Sequence, residues 1–558
     1  MWVDPRSPLL HDACDLALAS ARPPLTVTPP FLLMNAPDLF IRTRWAATLA
    51  SALFALSGCG GSDGPAPDPL ATYRTQTLAW QECDTTAVGV DISGYITAAG
   101  ERLRCASVRV PMDWSAPERG DLQVAVMRLA AAQPQARQGA LLFNPGGPGG
   151  DGLRYGLELW RAFGNGNPDS PLGSKQLRLL DEFDMVGFSP RGVGASTTLH
   201  CSTNELARRV GRAPAQLDAE NLHNAAYNSR TMARACLNNP LAPHIHTEAT
   251  ARDMDLVRHL LGDQKLNFVG YSYGTKVAAL YAQRYPAHVR SAVLDGVVDL
   301  AEDYTTQRLT QEQGYQHTFE QFAAWCAHNR PDCPLAAEPE AANRRMHALL
   351  AQLNAHPLTD KQGEAIDSDA LIGLMSTEIL WQEGWPDLAQ TLRDLQKGRT
   401  GSYNRLKYQS PMGEHEQDAL TVISCADAAL QLPREQELQR LRQIDDASRF
   451  DNYRAKSDEE LLEPCSYWPH AGTDIVHTPK PDPSLPKLLF VAQTHDGTTP
   501  YRNAQAMAAA FSGHLLTREG TGHTLVLNGL SECVDKQVAD YLLDPAGFVA
   551  AQVCRADD

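Results

Sequence analysis

Five residues, Gly270-Tyr271-Ser272-Tyr273-Gly274, form a G-x-S-x-G pattern, in which a serine can act as the nucleophile of an acyl-transfer reaction. The pattern alone is weak, since only three positions are fixed. Its setting makes it specific: the apolar strand signal Leu266–Val269 runs into it and a helix signal, Lys276–Arg284, runs out of it. A sharp strand-to-helix turn projects the serine, the two glycines relieve crowding, and the helix N-terminus favours negative charge on an attacked carbonyl. Ser272 needs a base to take its proton. In this arrangement the acid and then the histidine follow the serine along the chain, and His523, in Gly520-Thr521-Gly522-His523 after the strand signal Leu515–Thr517, is the well-placed late histidine. Asp496, in Thr494-His495-Asp496-Gly497 after another strand signal, is the expected acid, with Asp295 after strand 289–294 as its rival. His495 reads as a loop residue and not as a second base.

A second glycine-rich segment, Asn144-Pro145-Gly146-Gly147-Pro148-Gly149-Gly150, follows the apolar run 139–143. Backbone N–H groups there can face a substrate oxygen with no side chain in the way. Gly147, with Gly146 as the alternative, and the N–H of Tyr273 are the expected oxyanion donors. The Lys-Ser/Thr of a phosphate-binding loop is missing. No C-x-x-C spacing suggests zinc, and the chemistry read here needs neither a metal nor an organic cofactor.

These residues must be held by a sheet. Residues 105–114 and 121–129 alternate as a hairpin, and the runs ending at Phe143, Phe188, Val269 and Leu294 are continuously apolar, as strands buried on both faces are. With a helix over 250–262, the β-α-β-α order predicts a doubly wound, mostly parallel α/β sheet over 80–300. Residues 301–484 change character, with helical stretches at 341–354 and 370–397 and few strand signals. They read as a helical lid inserted before the sheet resumes at 485–558. In that insertion Trp381 and Trp385 read as packing.

The N-terminal region differs. Arg42 and Arg44 precede an apolar run, 45–56, too short to span a bilayer but suited to a signal peptide. It ends in Leu56-Ser57-Gly58-Cys59, which resembles a lipoprotein processing site and marks Cys59 for lipidation. Residues 1–58 are then a signal region, with 1–33 an upstream stretch before the better start Met34, and 59–79 a glycine-rich tether. Of twelve cysteines, Cys14 lies before the signal and Cys59 carries the lipid, leaving ten. An even number fits disulfides in an oxidising compartment, and sequential pairing is the simplest expectation. A formal charge of −17 argues against nucleic acid as a partner.

Pro145-Gly-Gly-Pro-Gly149, Ser189-Pro-Arg-Gly-Val-Gly-Ala-Ser196, Gly270–Thr275, Leu294-Asp-Gly-Val297 and the Asp496/His523 tail together resemble the tripeptidyl aminopeptidase branch of the prolyl aminopeptidase-like serine peptidases, which have the α/β-hydrolase fold. The resemblance spans roughly 80–558 and is weakest over 301–480. It implies an exported bacterial enzyme that cleaves short peptides from free N-termini beneath a helical lid. Prolyl aminopeptidases carry His where this chain has Pro145, so the resemblance is to the tripeptidyl branch. An aminopeptidase must also hold a protonated amine with a carboxylate near the lid–core boundary, for which Glu383 and Asp427, and also Glu378 and Asp387, are candidates by position. The rivals are an esterase or lipase with the same triad and an inactive hydrolase-like binding protein; the complete set of residues argues against the latter.

Overall fold

The computed structural model describes residues 68–85, 91–203, 219–407, 414–428, 432–469, 479, 482–550 and 553–555. The signal region, Cys59 and the first part of the tether lie outside the described residues.

The sheet has nine strands. In chain order they are β1 (Leu103–Pro111), β2 (Asp121–Leu129), β3 (Ala140–Asn144), β4 (Asp184–Phe188), β5 (Leu266–Tyr271), β6 (Val289–Asp295), β9 (Leu489–His495), β10 (His514–Thr521) and β11 (Val553–Cys554), with the two-residue strands β7 (Leu358–Thr359) and β8 (Ala365–Ile366) forming a separate hairpin. The spatial order is β1-β2-β4-β3-β5-β6-β9-β10-β11. β1 and β2 pair antiparallel, β2 meets β4 antiparallel, and every later pairing is parallel.

The period of two along each strand sends alternate residues to opposite faces. On one face Leu142, Phe268, Leu294 and Phe490 pack against helices Thr247–Leu260, Tyr273–Arg284 and Tyr501–Ala510. On the other, Phe143, Val269, Val293 and Val491 pack against helices Tyr155–Gly164, Pro171–Glu182 and Glu532–Leu543. Both faces are therefore covered, which is why β3, β4 and β5 are buried along their whole length while β1 alternates buried and exposed positions.

Between β6 and β9 the chain is mainly helical and has an apolar core of its own, built on Phe319, Phe322, Leu350, Trp385 and Phe450. The helix expected over 370–397 is two helices, Ser368–Glu378 and Trp385–Gln396. Pro386 sits at the start of the second, where a missing N–H and a fixed φ suit a first turn but not a helix interior. Trp381 is extended, at φ −122° and ψ 113°.

Five disulfides join Cys83–Cys105, Cys201–Cys236, Cys326–Cys333, Cys425–Cys465 and Cys533–Cys554. All are sequential, as expected. Among the described residues no helix is long and apolar enough to cross a membrane.

Candidate active site

Ser272 is the single residue between β5 and the helix Tyr273–Arg284, with φ 52° and ψ −123°. For a non-glycine residue this is a strained conformation, costing about 1–3 kcal/mol, that only a rigid setting maintains. The setting is visible atom by atom. The Ser272 N–H donates to the Asp295 carbonyl at 2.8 Å, and the Ser272 carbonyl accepts from the Thr275 N–H at 2.9 Å and its hydroxyl at 2.6 Å. A Cβ at Gly270 would stand 2.4 Å from the Gly274 carbonyl oxygen, and one at Gly274 would stand 2.5 Å from that of Asn144. Those two glycines are what allow the turn to close.

His523 follows β10. Its Nδ1 lies 2.9 Å from Asp496 Oδ2 and 3.0 Å from Oδ1, with both side chains buried. Asp496 is itself fixed: Oδ1 accepts the N–H groups of Thr498 and Thr499, each at 2.8 Å, and Oδ2 accepts the Thr499 hydroxyl at 2.9 Å. A Cβ at Gly296 would come within 3.0 Å of the imidazole Cε1, so the glycine of the Leu294-Asp-Gly-Val297 motif leaves room for the ring.

The rival acid has a different position. Asp295 Oδ2 accepts the N–H groups of Leu525 at 2.6 Å and Val526 at 2.8 Å, and so braces the loop that follows His523. Burial pushes this carboxyl up to about 7 despite those two bonds. Asp535 does the same further along, accepting from Leu527 and Gly529 at 2.6 and 2.9 Å, and it too is raised by burial to about 7. The braced loop contains two non-glycine residues at positive φ, Thr524 at 58° and Leu527 at 61°.

The glycine-rich loop after β3 runs directly against the serine turn. A Cβ at Gly146 would be 2.5 Å from the Tyr271 carbonyl, 3.1 Å from Ser272 Cβ and 3.3 Å from the Tyr273 nitrogen. The Gly146 N–H is committed to Asn144 Oδ1 at 3.0 Å. Of the two candidate donors in this loop, that favours Gly147. The Ser189-Pro-Arg-Gly motif is a brace and not part of the chemistry: Arg191 is buried, pairs with Asp253 at 2.6 Å and donates to the carbonyls of Pro111, Met112 and His244.

Ser272 opens onto a cavity of about 520 Å³ whose walls include Gly147, Glu302, Asp427, Glu463 and Thr499. Of the carboxylates expected at the lid–core boundary, Asp427 is on this wall. It accepts from the Thr247 N–H at 3.1 Å and from its hydroxyl, and faces Lys276 Nζ at 3.3 Å. Glu383 is exposed, in the turn Gln382–Gly384, and neither it nor Glu378 nor Asp387 lines the cavity.

Two wall carboxylates escaped the sequence reading. Glu463 pairs with Arg308 at 2.9 Å. Glu302 accepts from the Thr310 hydroxyl through Oε1 at 3.2 Å, while its Oε2 is buried and finds no hydrogen-bond partner among the described residues. Burial, and then the neighbouring Asp299, raise the Glu302 carboxyl above the ordinary range. The signal that could have found Glu302 is its place just beyond the C-terminal end of β6, where the functional loops of a parallel sheet gather. Among the described residues no group of three or more His, Cys, Asp and Glu is arranged to hold a metal ion.

Comparison with known proteins agrees with this fold. A family model described as the alpha/beta hydrolase fold matches residues 139–530. Serine protease Hip1 of Mycobacterium tuberculosis is 31% identical over 526 residues, covering 89% of this chain and 95% of that one. Carboxylesterase B of the same organism is 31% identical over 510 residues, covering 88% and 92%. Tripeptidyl aminopeptidase of Streptomyces coelicolor is 27% identical over 465 residues, covering 79% and 81%.

Proposed function

The chain belongs to the α/β-hydrolase fold family and is a serine hydrolase, and from that premise we propose that it is an exported exopeptidase releasing short peptides, tripeptides foremost, from free N-termini. Ser272 Oγ attacks the scissile carbonyl. His523 takes the hydroxyl proton on Nε2 and returns it to the leaving amine, while Asp496 holds the Nδ1 proton and so fixes the tautomer. The N–H groups of Gly147 and Tyr273 stabilise the oxyanion. Water, deprotonated by the same imidazole, then hydrolyses the acyl-enzyme.

The observation that carries the peptidase reading is Glu302 on the wall of the cavity that holds Ser272, a carboxylate whose Oε2 is buried and finds no hydrogen-bond partner among the described residues. An unsatisfied carboxylate oxygen costs free energy until a donor arrives, and a substrate ammonium is such a donor. Asp427 and Glu463 already pair with Lys276 and Arg308, whereas Glu302 makes no ion pair among the described residues and has Arg502 only as an electrostatic neighbour, so Glu302 is the ammonium partner. The helical segment between β6 and β9 acts as the lid that limits how far a chain end enters. Five disulfides support export, and the lipobox-like sequence before Cys59 supports a lipid anchor there. Mass spectrometry of the N-terminal peptide checks the anchor: an unmodified Cys59 removes it.

The substrate reading is tested by comparing a tripeptidyl-aminocoumarin with its N-acetyl form, a single aminoacyl-aminocoumarin and a short-chain nitrophenyl ester. The free tripeptide should be best, and acetylation should cost about 10- to 100-fold in kcat/KM, the loss of one charge-assisted hydrogen bond. Equal cleavage of the acetylated form, or turnover of the ester alone, replaces the aminopeptidase with an esterase.

A further inference from the structure

The hydrogen bonds around His523 divide into two sets. Before it, the Gly522 N–H donates to the His495 carbonyl at 3.3 Å; after it, Leu525, Val526, Leu527 and Gly529 are held by Asp295 and Asp535. Both sets belong to the sheet and the helices that cover it. The peptide groups of His523 itself go elsewhere. Its N–H donates to the Leu380 carbonyl at 3.1 Å, and its carbonyl accepts from the indole Nε1–H of Trp381 at 3.2 Å. Trp381 also bridges Gly522 as an isolated antiparallel pair. Leu380 and Trp381 lie in the break between helices Ser368–Glu378 and Trp385–Gln396, inside the lid.

From this division we infer that Trp381 is a positioning residue, through which the docked lid holds the catalytic base in place. With the lid displaced, the His523 peptide loses both of these hydrogen bonds at once, and the adjoining Thr524, at φ 58°, is the strained point about which the imidazole would swing. The Nδ1 contacts with Asp496 and with the Thr499 hydroxyl, the latter at 3.3 Å, then have to aim the ring. Base alignment and lid closure are in this way one event, and hydrolysis is most efficient when the lid is seated over a bound substrate.

The inference rests on His523 being the base, and the experiment separates the two claims. A small fluorophosphonate reports serine activation without engaging peptide specificity. In the full chain, Trp381→Phe removes the indole donor and keeps an aromatic ring. It should lower kcat and the labelling rate constant about 10- to 100-fold, the effect of leaving one buried acceptor unpaired, with KM within about twofold. Trp385→Phe is the control, because the Trp385 Nε1–H donates to the Ile379 carbonyl at 2.9 Å, a comparable lid bond that does not reach His523. It should leave the labelling rate near that of the unsubstituted protein. A benzothienyl analogue at position 381, isosteric but without the N–H, should behave as the Phe variant does. Labelling by Trp381→Phe at the unsubstituted rate, or an equal loss in Trp385→Phe, overturns the coupling. His523→Gln reports on the base itself: if it labels at full rate the triad reading fails, whereas its loss beside an unaffected Trp381→Phe leaves the triad standing and removes only the coupling.

Discussion

Replacing Asp496 by Asn should disable the enzyme without unfolding it, and the local hydrogen bonds say why. Asp496 Oδ1 accepts two backbone N–H groups, from Thr498 and Thr499, at 2.8 Å each. An amide at this position must turn its oxygen toward those two donors, since the alternative sets an NH2 against two N–H groups. The NH2 then occupies the Oδ2 position, 2.9 Å from His523 Nδ1, where it can only donate, while the oxygen, 3.0 Å from Nδ1, is already shared by the two backbone N–H groups. Nδ1 becomes the acceptor, the imidazole proton moves to Nε2, and Nε2 can no longer take the serine proton in the role proposed for it. A forced tautomer of this kind costs about 10⁴ in kcat, equivalent to roughly 5.5 kcal/mol of transition-state stabilisation. Asp295→Asn is the matched comparison. Its oxygen keeps both loop N–H groups, because Leu525 and Val526 both donate to the single atom Oδ2, so the His523 loop stays in register and kcat changes little. The assay is steady-state kcat for both variants, with the thermal midpoint recorded to show that each is folded. A folded Asp496→Asn that retains more than about a tenth of kcat, or an Asp295→Asn that is the more damaged of the two, refutes this assignment of acid and brace.

Two further outcomes follow from individual carboxyls. Glu302→Gln should lower kcat/KM for the free tripeptidyl substrate about 10- to 100-fold while leaving the N-acetylated one unchanged; equal losses on both would mean that Glu302 shapes the cavity without holding the amine. Asp295 is raised from 3.8 to about 7, so the folded chain keeps its proton where the unfolded chain has released it. The stability it contributes is fully present below pH 3.8 and is lost as the pH rises through 7, by on the order of 4 kcal/mol in all. Asp295→Asn should therefore flatten the fall in unfolding free energy between pH 4 and 7 seen by chemical denaturation, and an unchanged slope contradicts the buried-acid account.

Much of this site was legible because it is local. The strand, Ser272 and the helix are contiguous, and the glycines at 270 and 274 stand where a Cβ would strike the backbone. The ten export-compatible cysteines also pair with their nearest neighbours in sequence, at separations of 7 to 40 residues. The choice between Asp295 and Asp496 was not local. Both follow strands, and β6 and β9 are adjacent in the sheet, so only the direction of each carboxylate decides which meets the imidazole and which meets the loop beyond it. Glu302 carries no motif, because what marks it is an unpaired buried oxygen on a residue of the cavity wall and not a spacing. Trp381 and Trp385 read together as packing, which holds for Trp385, buried against Phe322 and Trp325. The turn before Trp385 sends Trp381 to the histidine loop instead, a contact across 142 residues that no periodicity could reveal.

The central claim is that Ser272 is the activated nucleophile. It is tested most directly by treating the folded protein with a fluorophosphonate and locating the adduct by peptide mass spectrometry. A single adduct on Ser272, absent from Ser272→Ala and lost with His523→Gln, is the expected result. An adduct on another residue, with Ser272→Ala still hydrolysing substrate at the unsubstituted rate, would contradict it.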